Sequence, residues 1–245
     1  HHKVTKTIEE SAALALKKGC DLNCGCTYIH LMSAYKQGLV TEEEIRTAAV
    51  RLFTTRYILG MFDKTEYDGL NYLDVETKEN LAVAKRASDE SIVLLKNDGI
   101  LPIDKNKNKV IAVIGPNADS RACLVGNYYG TSSEYITALE GIRNAAGDDT
   151  RILYAEGCDL SIPKPDFLSR EYHRLAEAEA VMKRADLVVL VIGLNETLEG
   201  EEGDQGNQYK SGDKPDLKFP KTQLRLIEKV VASGKPFITV VMAGS

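Results

Sequence analysis

Residues 110–117 read Val-Ile-Ala-Val-Ile-Gly-Pro-Asn, and this stretch decides how the chain folds. Five apolar residues, four of them β-branched, run without the polar alternation of a half-exposed strand. Such a run suits a strand buried on both faces, and Gly115-Pro116 ends it abruptly. Outward from it, 151–155, 187–192 and 237–242 repeat the pattern. Helical spacing fills the intervals at 135–146, 170–184 and 221–232. Continuous apolar strands alternating with helices predict an α/β fold, a mostly parallel sheet flanked by helices. Such sheets place their sites in loops at the carboxyl ends of the strands.

The first third of the chain has a different texture. Ile8, Ala12 and Leu16 recur by fours, with Glu9 and Glu10 early and Lys17 and Lys18 late. That predicts a helix over 7–18, with charges matched to its dipole and a stop at Gly19. Residues 20–24 alternate and are read as a short strand, and 28–36 as a second helix. Thr41 and Glu44 form a capping box that opens a third helix over 42–59. Residues 60–74 lack periodicity and read as a linker. A long helix is expected over 76–97, with Leu81, Ala84, Ala87, Ile92 and Leu95 on one side.

Composition narrows the function. The 245 residues carry 31 Lys plus Arg against 36 Asp plus Glu, a net charge of −5, with no basic cluster to grip nucleic acid. No apolar run approaches the ~20 residues that span a bilayer. Cys20, Cys24 and Cys26 are clustered, while Cys123 and Cys158 stand alone. No second ligand pair follows at zinc-finger spacing, so buried free thiols are expected and no metal. The odd cysteine count points to a reducing compartment, and no signal segment opens the chain; a cytoplasmic location is the expectation.

Two strand-end loops could carry chemistry. The first, 115–120, lacks the G-x-G-x-x-G of a dinucleotide turn, and Pro116 has no amide to offer a phosphate. It reads as a strand-to-helix turn with Asn117 or Asp119 as a cap. The second runs from Gly193 to Pro220, longer than the ~12–15 residues of an idle connection. It holds Glu196, Glu199, Glu201, Glu202, Asp204, Asp213 and Asp216 among five glycines. On composition alone a solvated acidic loop or a cation site leads; acid–base chemistry is the sharper alternative.

Several segments, in order, resemble glycoside hydrolase family 3, the β-glucosidase and β-xylosidase family. Residues 15–25, Ala-Leu-Lys-Lys-Gly-Cys-Asp-Leu-Asn-Cys-Gly, look like the end of its (β/α)8 barrel. Residues 38–63 look like that barrel's last helices. Residues 90–102, Glu-Ser-Ile-Val-Leu-Leu-Lys-Asn-Asp through Leu101-Pro102, look like the entry to its α/β sandwich, and 111–118 like the first strand of that sheet. Leu198-Glu199-Gly200-Glu201-Glu202-Gly203-Asp204 looks like its acid/base loop, and Asp213-Lys214 with Phe219 to Gln223 like the stretch that follows.

The resemblance implies the end of a barrel over 1–60, a linker over 61–75 and a sandwich domain over 76–245. It implies a retaining β-glycosidase releasing glucose or xylose from the non-reducing ends of β-linked oligosaccharides or aryl glycosides, without cofactor or metal. Glu201 is the implied acid/base by counting from Glu199; counting back from Gly203-Asp204 selects Glu202, and Glu199 is a third choice. The family's nucleophile, an aspartate in a Ser-Asp barrel motif, is not found here. The chain by itself is therefore expected to be inactive, with the remaining barrel packing against it. Tyr128 and Tyr129 read equally as a sugar-binding surface and as packing at a strand end. The rival reading is a non-catalytic α/β module that binds carbohydrate or stabilises a partner. Limited proteolysis should cut first within 60–74; preferential cutting between 110 and 192 would overturn the division.

Overall fold

The computed structural model describes residues 4–126, 130–164, 173–198, 214 and 216–244. The chain forms two compact units, His1–Val75 and Glu76–Ser245. The first holds α1 (Ile8–Lys17), α2 (Leu31–Lys36) and α3 (Glu42–Ile58). The hydroxyls of Thr7 and Thr41 accept from Glu10 N and Glu44 N, and those glutamates accept from the cap backbones in return. Ala13, Leu16, Ala34, Val40 and Ala48 form a small core, and small side chains let the three helices approach closely.

Two expectations fail in this unit. Residues 20–24 form no strand: a strand needs a neighbour for its amides, and the described residues offer none. Asn23 Oδ1 instead accepts from Tyr28 N at 3.3 Å, and the Tyr28 hydroxyl donates to Cys20 O. The helix expected over 28–36 begins as a 3₁₀ turn, Thr27–His30, before α2. In the second unit α4 covers only Lys78–Ser91 of the expected 76–97. Thr77 caps its start, and β-branched Ile92 leaves the helix in extended conformation. None of its residues is buried. Glu76, at φ 59°, turns its carboxylate to accept from Ser132 Oγ at 2.8 Å and Ser133 N at 3.0 Å. Those bonds, the Ser132 hydroxyl foremost, hold its pKa below the ordinary glutamate value.

The sheet contains β1 (Val110–Ile114), β2 (Arg151–Ala155), β3 (Leu187–Gly193) and β4 (Phe237–Met242), in the order β2-β1-β3-β4 and parallel throughout. Helix α5 (Ala138–Ala146) lies between β1 and β2, α6 (His173–Arg184) between β2 and β3, and α7 (Lys221–Ala232) between β3 and β4. The chain winds from β1 to β2 on one side, then crosses back past β1 to β3. Right-handed crossovers in opposite directions put their helices on opposite faces.

The packing follows that rule. Ala112, Ile114, Val188, Leu190 and Ile192 face α6 and α7 through Ala178, Met182, Leu226 and Val230. Their neighbours Ile111, Val113, Leu187, Val189 and Val191 face α5 through Leu139. Alternate residues of one strand therefore serve two cores. All seven residues of β3 are buried. Burial of each of its large side chains stabilises by roughly 1.5–3 kcal/mol.

Gly115 and Gly193 end β1 and β3 with φ of 135° and 152°. A Cβ on Gly115 would sit 1.8 Å from Val191 O, and one on Gly193 would sit 1.9 Å from Met242 O. No residue but glycine lets each strand end lie so close to its neighbour's backbone. Gly115→Ala should destabilise the second unit by more than about 4 kcal/mol, the range of severe backbone clashes. Urea denaturation monitored by circular dichroism checks this; an unchanged midpoint would refute it.

Candidate functional site at the switch point of the sheet

The chain reverses its winding direction between β1 and β3, and open α/β sheets bind ligands in the crevice outside that point. Two loops leave there: 115–120 after β1, and the long acidic loop after β3. The acid/base candidates Glu199, Glu201 and Glu202 lie outside the described residues, as do Tyr128, Tyr129 and Asp213. What the structure shows is the base from which the acidic loop departs, residues 193–198, and the helix that receives its far end.

That base is held from three directions. Leu194 N donates to Met242 O at 2.8 Å, continuing the ladder to β4. Leu194 O accepts from Asn117 Nδ2 at 2.9 Å, across the switch point. Gly193 is gripped by Gln223, the third residue of α7: Gly193 N donates to Gln223 Oε1 at 3.0 Å, and Gln223 Nε2 donates to Gly193 O at 2.7 Å. The same Nε2 donates to Leu160 O at 2.7 Å, and Thr222 Oγ1 donates to Ser161 O at 3.3 Å, so the segment after β2 joins the junction. Asn117 and Gln223 are fully enclosed, at 1 % and 0 % exposure.

Beyond Leu194 the loop turns on itself. Asn195 Oδ1 accepts from Thr197 N at 3.0 Å and Thr197 Oγ1 at 2.7 Å, and Leu198 N donates to Asn195 O at 2.9 Å. Leu198 is buried, so the chain is pinned up to the residue before Glu199. Glu196 Oε2 and Asn117 Oδ1 are buried without a hydrogen-bond partner among the described residues. Near the far end of the loop, Lys214 is almost enclosed and its ammonium meets the backbone and carboxylate of Asp216. After β2, Arg174 pairs with Glu156 and lies 3.7 Å from Asp159. Among the described residues no three His, Cys, Asp or Glu side chains are grouped to hold a metal ion.

Asn117 and Asp119 do not cap a helix directly after β1, as the turn chemistry suggested. Asn117 reaches over to β3's loop. Asp119 Oδ1 accepts from Thr137 Oγ1 at 2.9 Å, bracing the residue that caps α5. Cys123, half-buried beside them, donates to Ser120 O at 2.9 Å, and burial raises its pKa. The cysteine expectation also needs correction: Cys20, Cys24 and Cys26 are exposed, and Cys158 alone is buried. Residues 20–26 form a surface turn rather than a core strand, which leaves those thiols outside. Residue type singled out Asn117 only as a helix cap, and Gln223 only as part of the stretch that resembles the family. The available signal was a polar amide where an apolar residue would fit the pattern: Gln223 lies on the buried stripe of α7 with Leu226 and Val230.

Comparison with known proteins agrees with this architecture. Residues 92–245 match the Glycosyl hydrolase family 3 C-terminal domain. The chain is 35% identical to Beta-D-xylosidase 3 of Arabidopsis thaliana over 98% of its length, covering 29% of that relative. It is 31% identical to a Beta-xylosidase of Formosa agariphila, over 99% of this chain and 34% of that one. Among solved structures, a family 3 exo-β-xylosidase in complex with a xylobiose aziridine probe superposes with a TM-score of 0.75 at 30% identity, over 97% of this chain and 29% of that one. A β-glucosidase involved in saponin metabolism from intestinal bacteria gives a TM-score of 0.71 at 26% identity, over 99% of this chain and 35% of that one. The chain belongs to glycoside hydrolase family 3. It spans about a third of the length of these relatives.

The cysteines offer a direct check on the packing at the strand ends. Burial, and secondarily the charge of Asp159, pushes the Cys158 thiol up to about 12. The reactive thiolate is thus withheld at pH 8 in the folded protein. Exposed Cys20, Cys24 and Cys26 should alkylate with iodoacetamide within minutes while Cys158 stays unmodified until denaturant is added. Mass mapping reads the outcome, and early labelling of Cys158 would refute the buried placement.

Proposed function

We propose that these residues supply the acid/base carboxyl of a retaining β-glycosidase, and that its substrates are β-xylosides cleaved from the non-reducing end. The observation that carries the reading is the position of the acidic loop. It leaves the buried strand β3 at the switch point, from a base fastened on three sides, and brings Glu199, Glu201 and Glu202 into sequence directly after pinned Leu198. A solvated surface loop has no need of so rigid a base. The xyloside preference is supported by relatives named as β-xylosidases at 31–35% identity.

In a retaining mechanism one carboxylate attacks the anomeric carbon while a second carboxyl, about 5–5.5 Å from it, protonates the departing oxygen. The second group then removes a proton from the water that hydrolyses the glycosyl intermediate. Glu201 takes this role, with Glu202 and then Glu199 as alternates. The nucleophile is an aspartate that these residues do not include. Neighbouring carboxylates, by mutual repulsion, and exclusion of water on substrate binding both raise the pKa of such an acid toward the working pH.

In the full-length protein that carries these residues, Glu201→Ala should slow hydrolysis of substrates with poor leaving groups by about 10²–10⁴-fold, the usual contribution of a positioned acid. Substrates with activated leaving groups should be largely spared, and azide should restore turnover by attacking the glycosyl intermediate without base help. If Glu202→Ala shows this pattern instead, the register shifts by one. If none of the three glutamate variants does, the acid/base reading fails and the non-catalytic module gains. Comparing aryl β-xylosides with aryl β-glucosides tests the sugar: a preference for glucosides would overturn that part of the proposal.

A further inference from the structure

Gln223 is a buried polar side chain that the proton-transfer scheme does not use, and its bonding is unusually complete. Its amide accepts from Gly193 N and donates to Gly193 O and Leu160 O, at 3.0, 2.7 and 2.7 Å. The lengths of the strands explain why these groups need it. β1 pairs with β3 only as far as Ile114 opposite Leu190, whereas β3 continues to Gly193 opposite Met242. On the β4 side the ladder is carried on by Leu194 N. Gly193's own N–H and C=O have no β1 residue to meet. The Gln223 amide presents one acceptor and one donor in the arrangement of a peptide, and so stands in for the residue that β1 lacks.

The geometry points to Gln223 as a positioning residue for the acid/base loop: the helix that receives the loop's far end also fixes the peptide from which the loop departs. The inference rests on the acid/base reading of that loop. Gln223 sits 30 residues beyond Gly193, so its bonds close the whole loop into a ring at its neck. Asn117 holds the next carbonyl, and together the two amides leave residues 193 and 194 one available orientation. A carboxyl that must meet the departing oxygen within hydrogen-bond reach depends on that orientation, because a misplacement of about 1 Å can cost about 10²-fold in rate. Gln223 touches no reacting atom; it acts through the backbone at Gly193.

The test is Gln223→Glu in the full-length protein, assayed on aryl β-xylosides of graded leaving-group acidity across pH. The introduced carboxyl keeps an acceptor for Gly193 N. When ionised it has no proton for the carbonyls of Gly193 and Leu160; when protonated it can serve one of them. The expected result is a fall of about 100-fold in kcat on the poorest leaving group, about threefold or less on activated ones, and little change in KM. The deficit should shrink as pH falls and the carboxyl gains its proton. Equal loss on all substrates, a loss independent of pH, or no loss overturns the inference. If the glutamate variants keep the leaving-group signature while Gln223→Glu lacks it, the positioning role alone falls. If the glutamate variants lack it, the acid/base reading falls first. Should Gln223→Glu not fold, amide hydrogen exchange on the unmodified protein decides: Gly193 N–H must exchange as slowly as the middle of β3, and rapid exchange there overturns the role.

Discussion

The stagger between β1 and β3 is the constraint on which the functional end of this fold depends. Both strands are central and fully apolar, but β1 stops opposite Leu190 while β3 runs three residues further. A strand end without a neighbour exposes backbone donors and acceptors. Here those groups lie at the mouth of a sheet whose two faces are covered, where an unpaired peptide group costs roughly 1–3 kcal/mol. Asn117 and Gln223 fill the step, one from the loop after β1 and one from α7. Gly115 and Gly193 let the backbones come close enough for the step to form. The strand order places a crevice at this point, and the difference in strand length calls for the polar staples that line its floor.

The choice of amides for the staples has its own logic. A peptide end needs both a donor and an acceptor, and a carboxamide offers both without charge. An ion pair could bond as strongly, but burying it would carry a desolvation cost of several kcal/mol per charge. Two ion-paired groups lie at the margins of this region, Arg174 with Glu156 and Asp159 after β2 and Lys214 with Asp216 near the loop's far end, while one carboxylate oxygen of Glu196 is buried in the loop base. Neutral amides make the bonds to the strand end itself.

The sheet could be read from residue type because burial on both faces demands uninterrupted apolar runs. Val110–Ile114, Arg151–Ala155 and Phe237–Met242 lie where the runs place them, and β3 gains only Gly193. The helices were readable where caps announce them, at Thr41 and Glu44. They were overextended where only periodicity spoke, as at 76–97, because apolar spacing persists through Ile92 and Leu95 after the helix has ended. The strand expected at 20–24 fails for a reason that no local pattern contains: a strand exists only with a partner. Asn117 and Gln223 were hidden for a similar reason. Their importance comes from backbone groups 77 and 30 residues away, and side-chain chemistry alone does not say which peptide a buried amide will meet.

On the proposed acid/base reading, a firmly held junction limits how far the proton-transferring carboxyl can stray. Glu201 is eight residues beyond Gly193 in sequence. Because the chain is pinned as far as Leu198, Glu201 lies only three residues past the last fixed point, a reach of at most about 10 Å at about 3.5 Å per residue. Acid catalysis tolerates far less, since the proton must pass over a single hydrogen bond. Substrate contacts can trim the error, but each contact spent on steering the carboxyl is unavailable for lowering the barrier. Binding residues 193 and 194 to a sheet edge and two buried amides removes the error at its source.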